Sequence, residues 1–135
     1  MKGNRLYKSE KLCSRTAINE VFNSGSSVIA YPLRAVFREA PDGDVIPRFM
    51  ITVPKKKIRT AVRRVLLRRR IREAYRLNRS ILYNDSISAM NKGVEMAFIY
   101  LDKDVADYKL IELKMQDLLR KISIRMIKDQ NVQEG

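Results

Sequence analysis

The chain has 135 residues, 45% of them hydrophobic, which suits one domain with its own core better than two. It has no histidine and a single cysteine, which excludes imidazole acid–base chemistry, zinc sites with His ligands and an internal disulfide. The formal net charge is +13, and Lys55 to Arg79 hold twelve of the 28 basic side chains against one acid, Glu73.

The first dozen residues, MKGNRLYKSEKL, lack the apolar stretch of a signal peptide, and Cys13 reads as a part-buried small residue of a reducing cytosol. Ser14 or Thr16 caps a short helix ending at Ser24, with Ile18, Val21 and Phe22 on one face and Gly25 at its exit. SSVIAYPLRAVFRE is extended, and Pro32 divides it into two strands. Pro41 and Gly43 make a turn of residues 40–44, so Val45 to Val53 is expected to return as a strand paired with the preceding one. Asp42 and Asp44 belong to that turn.

Pro54 ends the strand, and Lys55 to Thr60 lead into a long basic helix. Leu67, Ile71, Ala74, Tyr75 and Leu82 share one arc of its wheel, while Arg68, Arg69, Arg72, Arg76 and Arg79 share another. Residues 80–93 read as the fraying end of the helix and a loop. Val94 to Leu101 is a strongly apolar buried strand; its longest apolar run, Met96 to Leu101, is too short to span a bilayer. Asp104 to Lys128 forms a last helix, with Leu110, Leu113, Leu118, Ile122 and Met126 toward the core and Asp104 and Asp107 as caps. Tyr75 and Tyr100 are assigned to the core. The pattern predicts a single α+β domain over residues 1–135, with a mixed sheet of about four strands and three helices and flexible ends at 1–12 and 129–135. Val45 to Val53 and Val94 to Leu101 are expected to be parallel neighbours through a helical crossover.

A solvated surface helix mixes its charges, whereas this one stacks Arg64, Arg68, Arg72 and Arg76 at four-residue spacing with like sign. Such a stripe is suited to phosphates, where each cation releases condensed counterions. Nine of the twelve are Arg, whose planar fork matches phosphate oxygens. With Trp absent and Leu and Phe sparse beside the stripe, a membrane surface is the poorer partner. No glycine-rich phosphate loop is present.

AVRRVLLRRRIREAYR, Ala61 to Arg76, resembles the signature AVxRNRxKRxxREAxR of the protein subunit of bacterial ribonuclease P. The two agree at Ala61, Val62, Arg64, Arg69, Arg72, Glu73, Ala74 and Arg76. ITVPKKKI upstream is similar to that family's strand and Lys-Lys loop, and INEVFNSGSSV at Ile18 to Val28 to its first helix and exit glycine. In order and spacing the resemblance covers roughly residues 5 to 125. It departs at Val65 and Leu66, where the family has Asn and Arg, and at Ile18, where the family commonly has Phe.

The resemblance implies a left-handed βαβ crossover, against the usual right-handed rule, and a cytoplasmic role in 5′-end maturation of transfer RNA. Catalysis and its Mg²⁺ ions would reside in an RNA subunit, with no metal held by the protein alone and no obligate protein partner. Lys55, Lys56, Lys57, Arg59, Arg63, Arg64, Arg68, Arg69, Arg72 and Arg76 would contact that RNA. Ile18, Phe22, Arg34 and Val36 would line a cleft for the single-stranded 5′ leader of precursor tRNA. Phe on a helix face beside Ile18 and Val21 fits a core position equally well. The alternative is a structural ribosomal-type RNA-binding protein with no role in cleavage. A DNA-reading helix fits less well, because Thr60 and Asn78 are its only neutral polar residues.

Overall fold

The computed structural model describes residues 12, 15–40, 47–85 and 93–134, the side chains of 83–85 and 127–134 excepted. The turn expected at residues 40–44, together with Cys13 and Ser14, lies largely or wholly outside the described residues. In chain order the elements are α1 (Arg15–Ser24), β1 (Ser26–Ala30), β2 (Leu33–Glu39), β3 (Arg48–Thr52), α2 (Ala61–Asn78), α3 (Ser80–Asp85), β4 (Val94–Tyr100) and α4 (Tyr108–Glu134). They build a mixed α+β fold around one four-stranded sheet of order β1-β2-β4-β3.

Pro32 separates β1 from β2 as expected, and the two pair antiparallel with Ala30 opposite Leu33. The hairpin expected between β2 and β3 does not form. β4 lies between them, antiparallel to β2 and parallel to β3. Composition explains the placement. β4 is buried at nearly every position and takes the centre of the sheet, whereas β3 brings half-buried Arg48 and Thr52 to an edge. The parallel pairing of β3 with β4, joined through α2 and α3, agrees with the sequence reading.

The faces of the sheet differ in cover. Phe37, Phe49, Met96 and Phe98 point into the main core with Leu67, Ile71, Ala74 and Tyr75 of α2 and Ile111, Met115, Leu118, Leu119 and Ile122 of α4. On the other face Val36 and Ala97 pack with Val21 of α1 and with Leu12. Tyr75 packs with tilted rings against both Phe49 and Phe98, its ring centroid 4.4 and 5.5 Å from theirs. Asn78 ties α2 to α4: it donates to Glu112 at 3.1 Å and accepts from Gln116 at 3.0 Å.

Three sequence expectations change. There are four helices among the described residues, because the chain after Arg79 re-forms a helical turn that buries Leu82. Arg79 lies at the C-cap of α2 and is buried, not on the arginine face. On α4, Leu110 and Leu113 are exposed, and the core stripe runs through Ile111 and Met115, one residue out of phase with the leucines. Leu118, Ile122 and Met126 are buried as expected. Asp107 caps α4 by accepting the Leu110 amide at 2.9 Å. Asp104 lies before the helix, where its carbonyl accepts the Tyr100 hydroxyl.

Gly25 receives no side chain because two backbone atoms crowd it: a Cβ there would lie 2.3 Å from the Val21 carbonyl oxygen and 2.8 Å from that of Phe37. Where space exists, Gly→Ala stabilises by about 0.4–1 kcal/mol. Here neither neighbour is a flexible side chain, so Gly25→Ala is expected to destabilise by roughly 1–3 kcal/mol in urea denaturation. Tyr108 gives a second check. Burial, with Glu112 beside its hydroxyl, pushes its phenol from the ordinary 10 up to about 12. The folded state favours the neutral phenol. Its contribution is therefore complete below pH 10 and lost as pH rises toward 12, and in absorbance titration at 295 nm Tyr108→Phe should remove one of the late-ionising tyrosines.

Candidate nucleic-acid interface

α2 forms against its own charge pattern. Its first turn holds no acid, and Thr60 at its N-cap makes no side-chain capping bond, so the positive pole of the helix is left unneutralised. Packing compensates, with Leu67, Ile71, Ala74 and Tyr75 fully buried on one side. The opposite side presents Arg63, Arg68, Arg69 and Arg72 to solvent, and none of them hydrogen-bonds or ion-pairs with a described residue. Lys55, Lys56, Lys57 and Arg59 are exposed in the preceding loop and extend the same positive surface.

Two of the expected phosphate-binding residues also have structural roles. Arg64 is half-buried, and one guanidinium nitrogen donates to the carbonyls of Ile58 and Arg59 at 2.9 and 2.8 Å, which fixes the loop to the helix. Arg76 chelates Glu73 through two bonds of 2.5 and 3.0 Å. That bond, with the nearby charge of Arg72, holds the Glu73 carboxyl below its ordinary range and keeps the only acid of α2's arginine stretch ionised. Arg70 turns to the core side and donates to the Ala106 carbonyl at 2.5 Å.

The expected cleft residues separate. Phe22 is 43% exposed on α1, so the surface reading holds over the core one. Ile18 is half-buried against the Val36–Ala97 cluster. Val36 is only 4% exposed beneath α1 and has almost no surface to offer a ligand, because its place in the register lies under the helix. Arg34 is half-exposed, and its Nε donates to the Ser27 hydroxyl at 2.9 Å. Beside α1 the register aligns Ile29, Arg34, Ile99 and Thr52 across all four strands, on the face that α1 only partly covers. Ile29 is exposed and the other three half-buried, giving a shallow shelf with one cation. Sequence reasoning missed Ile29, Ile99 and Thr52, since strand alternation assigns them to this face only once the pairing is known. Among the described residues no three acidic or thiol side chains converge on a metal-sized site. Nor is any described helix long and apolar enough to cross a membrane.

Residues 6–123 match the Ribonuclease P family. A ribonuclease P protein component from Porphyromonas gingivalis is 37% identical over 119 residues, covering 87% of this chain and 86% of that one. The chain belongs to the ribonuclease P protein family. It is thus a protein component of a ribonucleoprotein endoribonuclease of tRNA processing, and its partner in that assembly is the RNA subunit. The ribonuclease P protein of Thermotoga maritima superposes with a TM-score of 0.67 at 25% identity, covering 83% of this chain and 96% of that one. The Staphylococcus aureus ribonuclease P protein shares the fold, with a TM-score of 0.61 at 19% identity over 85% of this chain and 96% of that one.

The contrast between bracing and free arginines is measurable. Arg64→Ala is expected to lower folding stability by roughly 1–2 kcal/mol through its lost charged hydrogen bonds. Arg68→Ala should stay within about 0.5 kcal/mol of the parent in the same denaturation experiment.

Proposed function

We propose that this chain binds the catalytic RNA through the arginine face of α2 and the Lys55–Arg59 loop, and receives the 5′ leader of precursor tRNA on the shelf beside α1. The division of α2 carries this reading: one side is fully committed to the core, and the other presents four arginines with no partner among the described residues. Such a face is preformed for phosphates. Phe22, Ile18, Ile29, Arg34, Ile99 and Thr52 supply apolar surface and one cation. That combination holds a single strand by base contact and backbone charge, with little sequence selection.

On this reading cleavage occurs in the cytoplasm at Mg²⁺ ions held by the RNA, and no acidic cluster of the described chain is required to bind them. The protein acts by charge. Placing cations between two polyanions reduces their repulsion, the same task that high Mg²⁺ performs by screening. Single-turnover cleavage of a precursor tRNA by ribonuclease P RNA should therefore be strongly stimulated by this protein at low Mg²⁺ and weakly at high Mg²⁺. Cutting the 5′ leader to one nucleotide should remove most of the stimulation. Equal stimulation at all Mg²⁺ concentrations would contradict the electrostatic mechanism. No stimulation, with tight binding to ribosomal RNA fragments, would replace the reading by a structural one.

A further inference from the structure

The first turns of α2 carry an unusual pairing of apolar and cationic groups. Val65 is 45% exposed, and Leu66 beside it is also open to solvent. Val65 forms one wall of a cavity of about 430 Å³ between α2 and β3. Leu12, Phe49, Met50 and Ile51 line its other side, and Arg68, Arg69 and Arg72 stand around it. β3 is an edge strand, and the Leu12 amide bonds to the Phe49 carbonyl at 2.8 Å, which marks the side on which groups of this strand not paired with β4 emerge. Alternation along the strand turns the amide and carbonyl of Ile51 to the same edge.

We propose that this cavity holds one unstacked nucleotide of the catalytic RNA, with its base against Met50, Ile51 and Val65 and its phosphates on Arg68, Arg69 and Arg72. The inference rests on the reading of α2 as the face that meets the RNA subunit, and adds to it a base-binding pocket. The volume lies within the range of small-ligand sites, which are largely apolar with a few well-placed polar groups. Charge selects the occupant. An apolar hollow lined in part by three arginines that hydrogen-bond to no described residue complements a ligand that is both anionic and flat-faced, which a nucleotide is and an ordinary apolar peptide is not. The Ile51 backbone groups offer the base edge a donor and an acceptor. Bases held within a duplex cannot enter, so the pocket requires a looped-out or single-stranded position.

The test is binding of the full-length protein to the ribonuclease P RNA of the same genome, without substrate, across a salt series. Val65→Ser should weaken binding roughly five- to tenfold and leave the slope against log salt unchanged, because it removes contact surface and no charge. Arg72→Ala should weaken binding and reduce that slope by about one. Irradiating the complex formed with 4-thiouridine-substituted RNA should cross-link the peptide containing Met50 and Ile51. If parent protein and RNA do not bind at all, the functional reading itself fails. If the parent binds and Val65→Ser binds equally tightly, with no cross-link to β3, only the pocket is overturned. An effect of Val65→Ser confined to precursor binding by the assembled enzyme would place a leader nucleotide there and also overturn the proposal.

Discussion

The molecule is organised by the burial of one side of α2. Like charges at four-residue spacing destabilise a helix by about 0.2–0.5 kcal/mol per pair, and a missing cap by about 1 kcal/mol. Each large apolar side chain taken out of water returns about 1.5–3 kcal/mol. Leu67, Ile71 and Tyr75 are fully buried, with Tyr75 against Phe49 and Phe98, so packing exceeds repulsion by a clear margin. Because folding does not require the opposite side, that side is free to carry Arg63, Arg68, Arg69 and Arg72 beside exposed Val65 and Leu66. The cost is that the positive potential persists in the folded state until a polyanion arrives.

The second determinant is the central position of β4. Its near-continuous apolar sequence draws β2 to one side and β3 to the other, so β3 becomes an edge strand directly beside α2. That arrangement creates the cavity between β3 and α2. The same register sets Ile29, Arg34, Ile99 and Thr52 in one row on the opposite face. α1 then crosses only the Val36–Ala97 region, where the small Ala97 admits close approach, and leaves that row accessible. Two surfaces of different character follow from one topology. The helix surface is densely charged; the sheet surface is shallow, mostly apolar and carries one arginine.

Much of this was legible in the sequence because local signals agreed with the fold. The wheel of α2 separated Leu67, Ile71, Ala74 and Tyr75 from its arginines, Pro32 divided β1 from β2, and the arginine-rich signature identified the family. What local pattern could not supply was long-range pairing. A turn between two strands predicts a hairpin, and nothing near residues 40–44 shows that β4, some fifty residues later, takes the place beside β2. Ile29, Ile99 and Thr52 were therefore missed, and Val36 was expected at the surface although it lies beneath α1. On α4, leucines drew attention from Ile111 and Met115. Within the basic stretch, charge alone did not distinguish Arg64, Arg70 and Arg79, which serve or lie against the fold, from Arg68, Arg69 and Arg72, which face outward.

Held by its buried side, α2 should be fully formed before any RNA is present. Amide hydrogen exchange of α2 in the free protein reads this out. Leu67 to Tyr75 should exchange slowly in the free protein, with protection close to that of β4 and little added by RNA. Fast exchange across α2 in the free protein, converted to slow exchange only on RNA binding, would mean that the polyanion and not the core folds this helix.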